Sequence, residues 1–281
     1  MRCGGFLRWA IKVGLLLGLA PVPGGAQQPT AGVTGILGAF SEEIALLEQA
    51  VSNPQSQQIL GIRFVTGTLK GRRVVIASSG VGKVNAGVAA ALLIEHFKPR
   101  EILFSGISGA LNPELSPGDM VIAEKTVQHD LGTLGSEGIQ LRGARNPAGS
   151  QRNPVFFDAD PRLVSLAESA AKGIEPGKIQ TRAGERKPRV IRGIVATGDV
   201  FVASAEKRDE LRKRLKADAV EMEGGAVAQV CYQLAVPCLV IRIISDTADA
   251  NARDDANEFL PTAARNSAQL VTAIIERLTI R

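Results

Sequence analysis

Apolar residues recur along this chain in two rhythms. Short β-branched runs at 33–39, 101–105, 193–197 and 238–244 read as buried strands, and a longer one spans 118–130. Residues 59–69 and 72–78 alternate around Lys70 and Gly71, the pattern of a hairpin. Helical spacing falls between the strands. Ser41 reads as the cap of a helix with Glu42 and Glu43 in its first turn, and a second helix runs from a glycine turn to Phe97. Others cover 161–172, a charged stretch ending at Leu215, residues 226–234, and an amphipathic stretch from about Glu258. Pro237 forbids extension of the 226–234 helix. Strands alternating with helices predict one α/β domain. Residues 132–155, rich in Gly, Asn, Pro and Arg, read as a surface excursion, and the basic segment 178–192 as a solvated loop or hairpin.

The segment 218–246 concentrates the candidate chemistry. It reads as strand, helix, strand, with Glu221 and Glu223 where a strand gives way to a helix. Ser245 and Asp246 stand where a buried strand stops. Ligands of open α/β sheets gather beyond the carboxyl ends of strands, so carboxylates on that rim point to a site.

Composition narrows the class. Charged residues make up 22% and hydrophobic residues 45%, the balance of a globular protein. The net charge of +5 owes much to the first 26 residues, where Arg2, Arg8 and Lys12 precede a short apolar core and a Gly-Gly-Ala ending. That order is expected of a secretory leader at 1–26, followed by a polar linker at 27–32 and a domain at 33–281. Without the leader, 30 basic residues face 28 acidic ones, so no nucleic-acid partner is expected. No later stretch reads as a membrane span, and the mature chain is expected in the periplasm or outside the cell. Cys231 and Cys238 fall on an apolar helix and a buried strand and read as core residues rather than a disulfide framework.

Several chemistries fail on spacing. The loop GVGK at 80–83 is followed by Val84, which breaks the phosphate-loop pattern, and it lacks the third glycine of a dinucleotide fingerprint. Such a turn instead lets the backbone approach a ligand or helix closely. GISGA at 106–110 has alanine where a serine-esterase elbow needs glycine, and His96 and His129 both precede the acids. Two histidines are too few for a zinc centre, and no cofactor is called for; His129 reads as an ordinary hydrogen-bonded histidine.

The ordered set ILGAFSEE (36–43), SGVGKVN (79–85), GISGAL (106–111), PGDMVI (117–122), TGDVF (197–201), VEMEG (220–224), VP (236–237), IRIISD (241–246) and EFL (258–260) resembles the nucleoside phosphorylase/nucleosidase superfamily. Within it, the likeness is to 5′-methylthioadenosine/S-adenosylhomocysteine nucleosidases. The resemblance implies a single α/β domain with a central mixed sheet flanked by helices, a homodimer, and hydrolysis of the N9–C1′ bond of an adenine nucleoside. It assigns Asp246 as the acid that protonates N7, Glu43 as the holder of the attacking water, and Glu223 as the grip on the ribose hydroxyls. It further implies Met222 against the sugar, Phe201 stacked on adenine, the Val202 backbone at the base edge, and Val81 and Phe259 lining the sugar and 5′ pocket. Ser245 and Arg242 complete the expected substrate-binding set. From the residues alone, Asp246 reads first as a cap of the next helix, Glu43 as a complement to a helix dipole, and Met222, Val81 and Phe259 as core.

Phosphorylases of this superfamily place arginines in the first loop and the glycine turn, where this chain has GAFSEE and GISG. Arg242 remains, expected beside Glu43 to orient it, so hydrolysis is preferred over phosphorolysis or a catalytically inactive nucleoside-binding protein. The stretch LGTLG after Asp130 lacks the aromatics that often cover an alkylthio group, which leaves the 5′ substituent open.

Overall fold

The computed structural model describes residues 32–176, 179–181 and 184–279; the leader and nearly all of the linker lie outside the described residues. The chain begins with β1 (Thr34–Gly38), α1 (Ser41–Ala50), β2 (Ser52–Ile59), β3 (Ile62–Leu69), β4 (Arg72–Ser78) and α2 (Lys83–Phe97). It continues with β5 (Glu101–Ala110), β6 (Met120–Gln128), the small hairpin β7 (Gly132–Gly135) and β8 (Gly138–Leu141), then β9 (Phe156–Asp158) and α3 (Pro161–Lys172). A second small hairpin, β10 (Ile179–Thr181) and β11 (Gly184–Arg186), precedes β12 (Val190–Thr197), α4 (Ala205–Leu215), β13 (Ala219–Glu221), α5 (Gly224–Gln233), β14 (Cys238–Asp246) and α6 (Ala252–Thr279).

The main sheet is mixed, in the order β13, β12, β6, β14, β5, β1, β4, β3, β2, with β9 added to β6. β13 also pairs antiparallel with β5, Val220 opposite Gly109, which closes β5, β14, β6, β12 and β13 into a ring. Strand alternation feeds two cores. Ile36, Ile76, Ile241 and Ile243 face α1, α3 and α6, whereas Leu37, Val75, Val240 and Ile244 face α2 and α5. Burial on both faces explains why these strands read as continuous apolar runs.

The expected hairpin at Lys70 and Gly71 forms, with Leu69 opposite Arg72 and positive φ at both turn residues. Other boundaries differ. Ile59 ends β2, an exposed polar edge strand that turns through Leu60 and Gly61 into β3. Ser41 is the first helical residue rather than the cap; Phe40 holds that position, and the Ser41 hydroxyl bonds the Glu42 carboxylate instead. The last helix starts at Ala252, not near Glu258. An Asp249 turn nucleates it, with the Asp249 carboxylate accepting from the Thr247 hydroxyl and the Asn251 N–H. The basic segment is also not wholly solvated, because Arg186 and the Arg189 N–H bind the fully buried carboxylate of Asp119 at 2.6 and 2.7 Å. Cys231 lies in the core, Cys238 packs against it, and both are free thiols.

Candidate active site

A glycine decides where the first carboxylate goes. Gly106 has no side chain in the space taken by Glu43, whose Oε1 would lie 2.7 Å from a Cβ there. Glu43 therefore turns inward from the first turn of α1 and is buried. Its Oε2 accepts the N–H groups of Ala39 (2.6 Å) and Phe40 (3.0 Å), and its Oε1 accepts that of Ile107 (2.9 Å). A carboxylate offers about four lone-pair positions, so roughly one remains for a water. Burial pushes its pKa up; the three N–H groups and the nearby Arg242 charge offset this only in part.

Three residues further along β5, about 10 Å at strand rise, Gly109 makes the corresponding space for Asp246, which ends β14. Asp246 Oδ1 accepts the Ala248 N–H at 2.9 Å and Oδ2 lies 2.8 Å from the Ser245 hydroxyl. It caps no helix, since α6 begins six residues later. Burial raises its pKa above the ordinary aspartate value, and the charges of Asp255 and Asp249 add to the rise.

Glu223 stands at the N-terminus of α5, where the ring of strands closes. Its Oε1 accepts the Gly82 N–H at 2.8 Å, so the glycine turn at 80–82 approaches another carboxylate rather than a phosphate. Burial and then the charge of Glu221 push its pKa up to about 7; Glu43 is close enough to contribute. All three acids hold their protons more tightly than free carboxylic acids do.

Two of these acids, Glu223 and Asp246, line one open-mouthed cavity. Glu223, Ser245 and Asp246 give it polar lining, and Met222, Val81, Phe201 and Val202 are among its apolar lining residues. Glu43 reaches it through Phe40 and Ile107, which are lining residues and donate their N–H groups to it. Arg253 lies over the Phe201 ring at 5.1 Å.

Two expected contacts fail. Arg242 is not at the cavity and makes no hydrogen bond to Glu43. Its Nη2 donates to Glu221 Oε2 at 2.6 Å, Nη1 donates to the Ile241 carbonyl, and the guanidinium stacks 4.3 Å above Phe104. Glu221 offers a second buried carboxylate, and Nε and Nη2 of Arg242 both converge on its Oε2. Phe259 does not line the cavity either; it packs against the apolar core beneath α6 and approaches Gly118.

Sequence reasoning passed over one group and misread another. Ser108 lines the cavity, and its buried hydroxyl has no hydrogen-bond partner among the described residues. His129 is buried against Gly198, and its Nε2 has no hydrogen-bond partner among the described residues, unlike the ordinary bonded histidine expected. Burial lowers its pKa, which favours the neutral ring. Among the described residues no cluster of His, Cys, Asp and Glu is arranged to hold a metal.

Comparison with known proteins agrees with this architecture. Residues 33–276 match the family model described as the phosphorylase superfamily. A 5′-methylthioadenosine/S-adenosylhomocysteine nucleosidase of Mycobacterium bovis is 37% identical over 248 residues, 87% of this chain and 97% of that protein. The crystal structure of the nucleosidase of that name from Neisseria meningitidis, in complex with methylthio-immucillin-A, superposes with a TM-score of 0.76 at 35% identity, covering 88% of this chain and 99% of that one. A futalosine hydrolase of Helicobacter pylori superposes with a TM-score of 0.74 at 31% identity, covering 88% and 98%. With its whole mixed-sheet domain matched and its cavity built at the strand ends, this chain belongs to the phosphorylase superfamily.

Proposed function

We propose that this protein is an N-ribosyl hydrolase that cleaves adenine nucleosides carrying a modified 5′ group, such as 5′-methylthioadenosine or S-adenosylhomocysteine. The observation that carries the reading is that Glu223 and Asp246 line one cavity while Glu43 holds the N–H groups of the lining residues Phe40 and Ile107, each of the three acids with a raised pKa. The N9–C1′ bond breaks with its electron pair passing to the purine, while Asp246 gives its proton to N7. The ribosyl cation that develops is stabilised by the carboxylates around it, with Glu223 accepting hydrogen bonds from the ribose hydroxyls. Water on the opposite face attacks C1′, and Glu43, its free lone pair turned to that water, takes the proton. Phe201 stacks on the base and the Val202 backbone reads its edge.

Arg242 favours water over phosphate as the acceptor. A phosphorylase needs free cations at this place, and Arg242 is spent on Glu221. Incubation with 5′-methylthioadenosine in phosphate-free buffer is expected to release adenine and a reducing sugar. Turnover that requires phosphate and yields a ribose-1-phosphate would replace this reading with phosphorolysis, and tight binding without turnover would leave a nucleoside-binding protein. The names of the relatives support more than one 5′ substituent, so the assay runs across several.

The reading extends to assembly and location. The resemblance supports a homodimer, to be checked by light scattering, which should give twice the chain mass. The basic-then-apolar start supports export, to be checked by fractionation, which should place a chain beginning at Gln27 outside the cytoplasm.

A further inference from the structure

Beside the cavity, three residues from separate loops close a ring. Lys83 Nζ donates to Asp130 Oδ1 at 2.6 Å. The Asp199 N–H donates to Asp130 Oδ2 at 2.8 Å, and the Lys83 N–H donates to Asp199 Oδ1 at 2.7 Å. Lys83 Nζ lies 4.0 Å from the other Asp199 oxygen. Lys83 and Asp130 are largely shielded, with side chains 16% and 18% exposed, so their attraction is screened less than that of a surface pair.

What the ring joins gives it meaning. Lys83 follows Val81 and Gly82, and the Gly82 N–H holds Glu223. Asp199 precedes Val200, Phe201 and Val202, which line the other side of the cavity. Beyond the ring, that second segment is held by Val202 packing on an apolar cluster and by Arg253 over Phe201. Among the described residues the backbone of 200–203 has no hydrogen-bond partner, and Phe201 is 39% exposed. Gly198, just before the ring, donates to the Glu221 carbonyl, and the helix after 204 begins a new element. The ring is thus the hinge pin between the wall carrying Val81 and Glu223 and the wall carrying Phe201 and Val202.

We propose that Lys83 is a positioning residue which, through Asp130 and Asp199, sets the gap between the sugar-side and base-side walls and so fixes the affinity for the purine. The proposal rests on the nucleosidase reading for which wall meets the base. Lys83, Asp130 and Asp199 do not line the cavity, so their effect passes through Phe201, Val202 and Glu223. Because the walls touch substrate before and during reaction, loosening them removes uniform binding, which appears in KM rather than kcat.

The test uses the full chain and three variants, Lys83→Met, Asp130→Asn and Lys83→Arg. For Lys83→Met and Asp130→Asn, KM for 5′-methylthioadenosine and the dissociation constant of free adenine should both rise about tenfold, the scale of one charge-assisted contact. Turnover number should change less than about threefold. Lys83→Arg, which still reaches Asp130, should recover most of the affinity. Wild-type KM and adenine affinity in both ring-breaking variants would overturn the proposal. So would losses that track a fallen melting temperature and are not rescued by arginine. If the wild-type chain releases no adenine, the nucleosidase reading fails by itself, and calorimetry with adenine alone then judges the ring. An absence of adenine binding in the wild type would overturn both.

Discussion

The two ends of β5 hold buried carboxylates in opposite condition. At its start, Glu101 takes Arg72 at 2.6 Å, Arg162 at 3.0 Å and the Thr34 hydroxyl at 2.7 Å. Burial alone would raise its pKa, but these three partners outweigh it and the net shift is downward. At the other end, Glu43 and Asp246 are as deeply buried but lack a paired cation, and both shift upward. The strand is the same and the burial comparable; the difference is the partner. A buried carboxylate matched by arginine is committed to holding the fold. One left without a cation holds its proton more tightly than a free carboxylic acid, the direction an acid catalyst needs. Glu221 makes the contrast sharper, because it sits among the site acids yet takes Arg242 and so belongs functionally with Glu101.

The largest expected effect lies at the carboxyl end. Asp246→Asn keeps the shape and the acceptor for the Ala248 N–H but cannot deliver a proton to N7. Turnover should fall by about 10³-fold, about 4 kcal/mol of transition-state stabilisation, with adenine affinity and melting temperature nearly unchanged. Equal losses in affinity and turnover would move Asp246 to the structural side of the comparison. At the opposite end, Arg72→Met strands Glu101 without its inner cation, and breaking such a buried pair costs about 3 kcal/mol. In a chain of this size that lowers the melting temperature by roughly 10 °C. Kinetic constants measured well below the transition should match wild type; a selective loss of turnover would show that the two ends are coupled.

The difference between these ends was only half legible beforehand. Apolar runs announced the buried strands, and the motif order pointed to Glu223 and Asp246, which line one cavity, and to Glu43, which bonds the lining residues Phe40 and Ile107. β2 stayed hidden because SNPQSQQI has neither apolar alternation nor a buried face; it is an edge strand defined by its partner alone. Arg242 was misplaced for a related reason. A motif fixes where its Cα lies, but Glu43 and Glu221 competed for its long side chain, and local sequence holds no record of the outcome. The ring of Lys83, Asp130 and Asp199 spans separations of 47, 69 and 116 residues, each link a tertiary result.

A smaller effect tests the same contrast through pH. Glu223 titrates at about 7 in the folded protein against an ordinary value of 4.5. Between those values the folded state binds more protons than the unfolded chain, so stability falls as pH rises through this window. Glu101, with its lowered value, works the other way, and its contribution is lost as pH falls below the ordinary range. Glu223→Gln keeps an oxygen for the Gly82 N–H and cannot ionise. It should match wild type near pH 4 and exceed it by on the order of 2 kcal/mol at pH 8 in denaturant titrations. The same variant should lose the acid limb of kcat/KM near about 7, because the ribose hydroxyls bind the ionised form. A variant less stable than wild type at pH 8 would mean that Glu223 is paired as Glu101 is.

The smallest effect separates fold from site within a single helical turn. Ser41 has the residue type of a cap, and removing a true serine cap costs about 1 kcal/mol. Here the free N–H groups of Ala39 and Phe40 are taken by Glu43, while Ser41 bonds only the exposed Glu42. Ser41→Ala should therefore change stability by no more than about 0.5 kcal/mol and leave kcat/KM at the wild-type value. A loss near 1 kcal/mol would return the helix start to Ser41 and relieve Glu43 of its structural share. The expected null result instead leaves the start of α1 to Glu43, whose backbone contacts anchor the helix and tie it to Phe40 and Ile107 at the cavity.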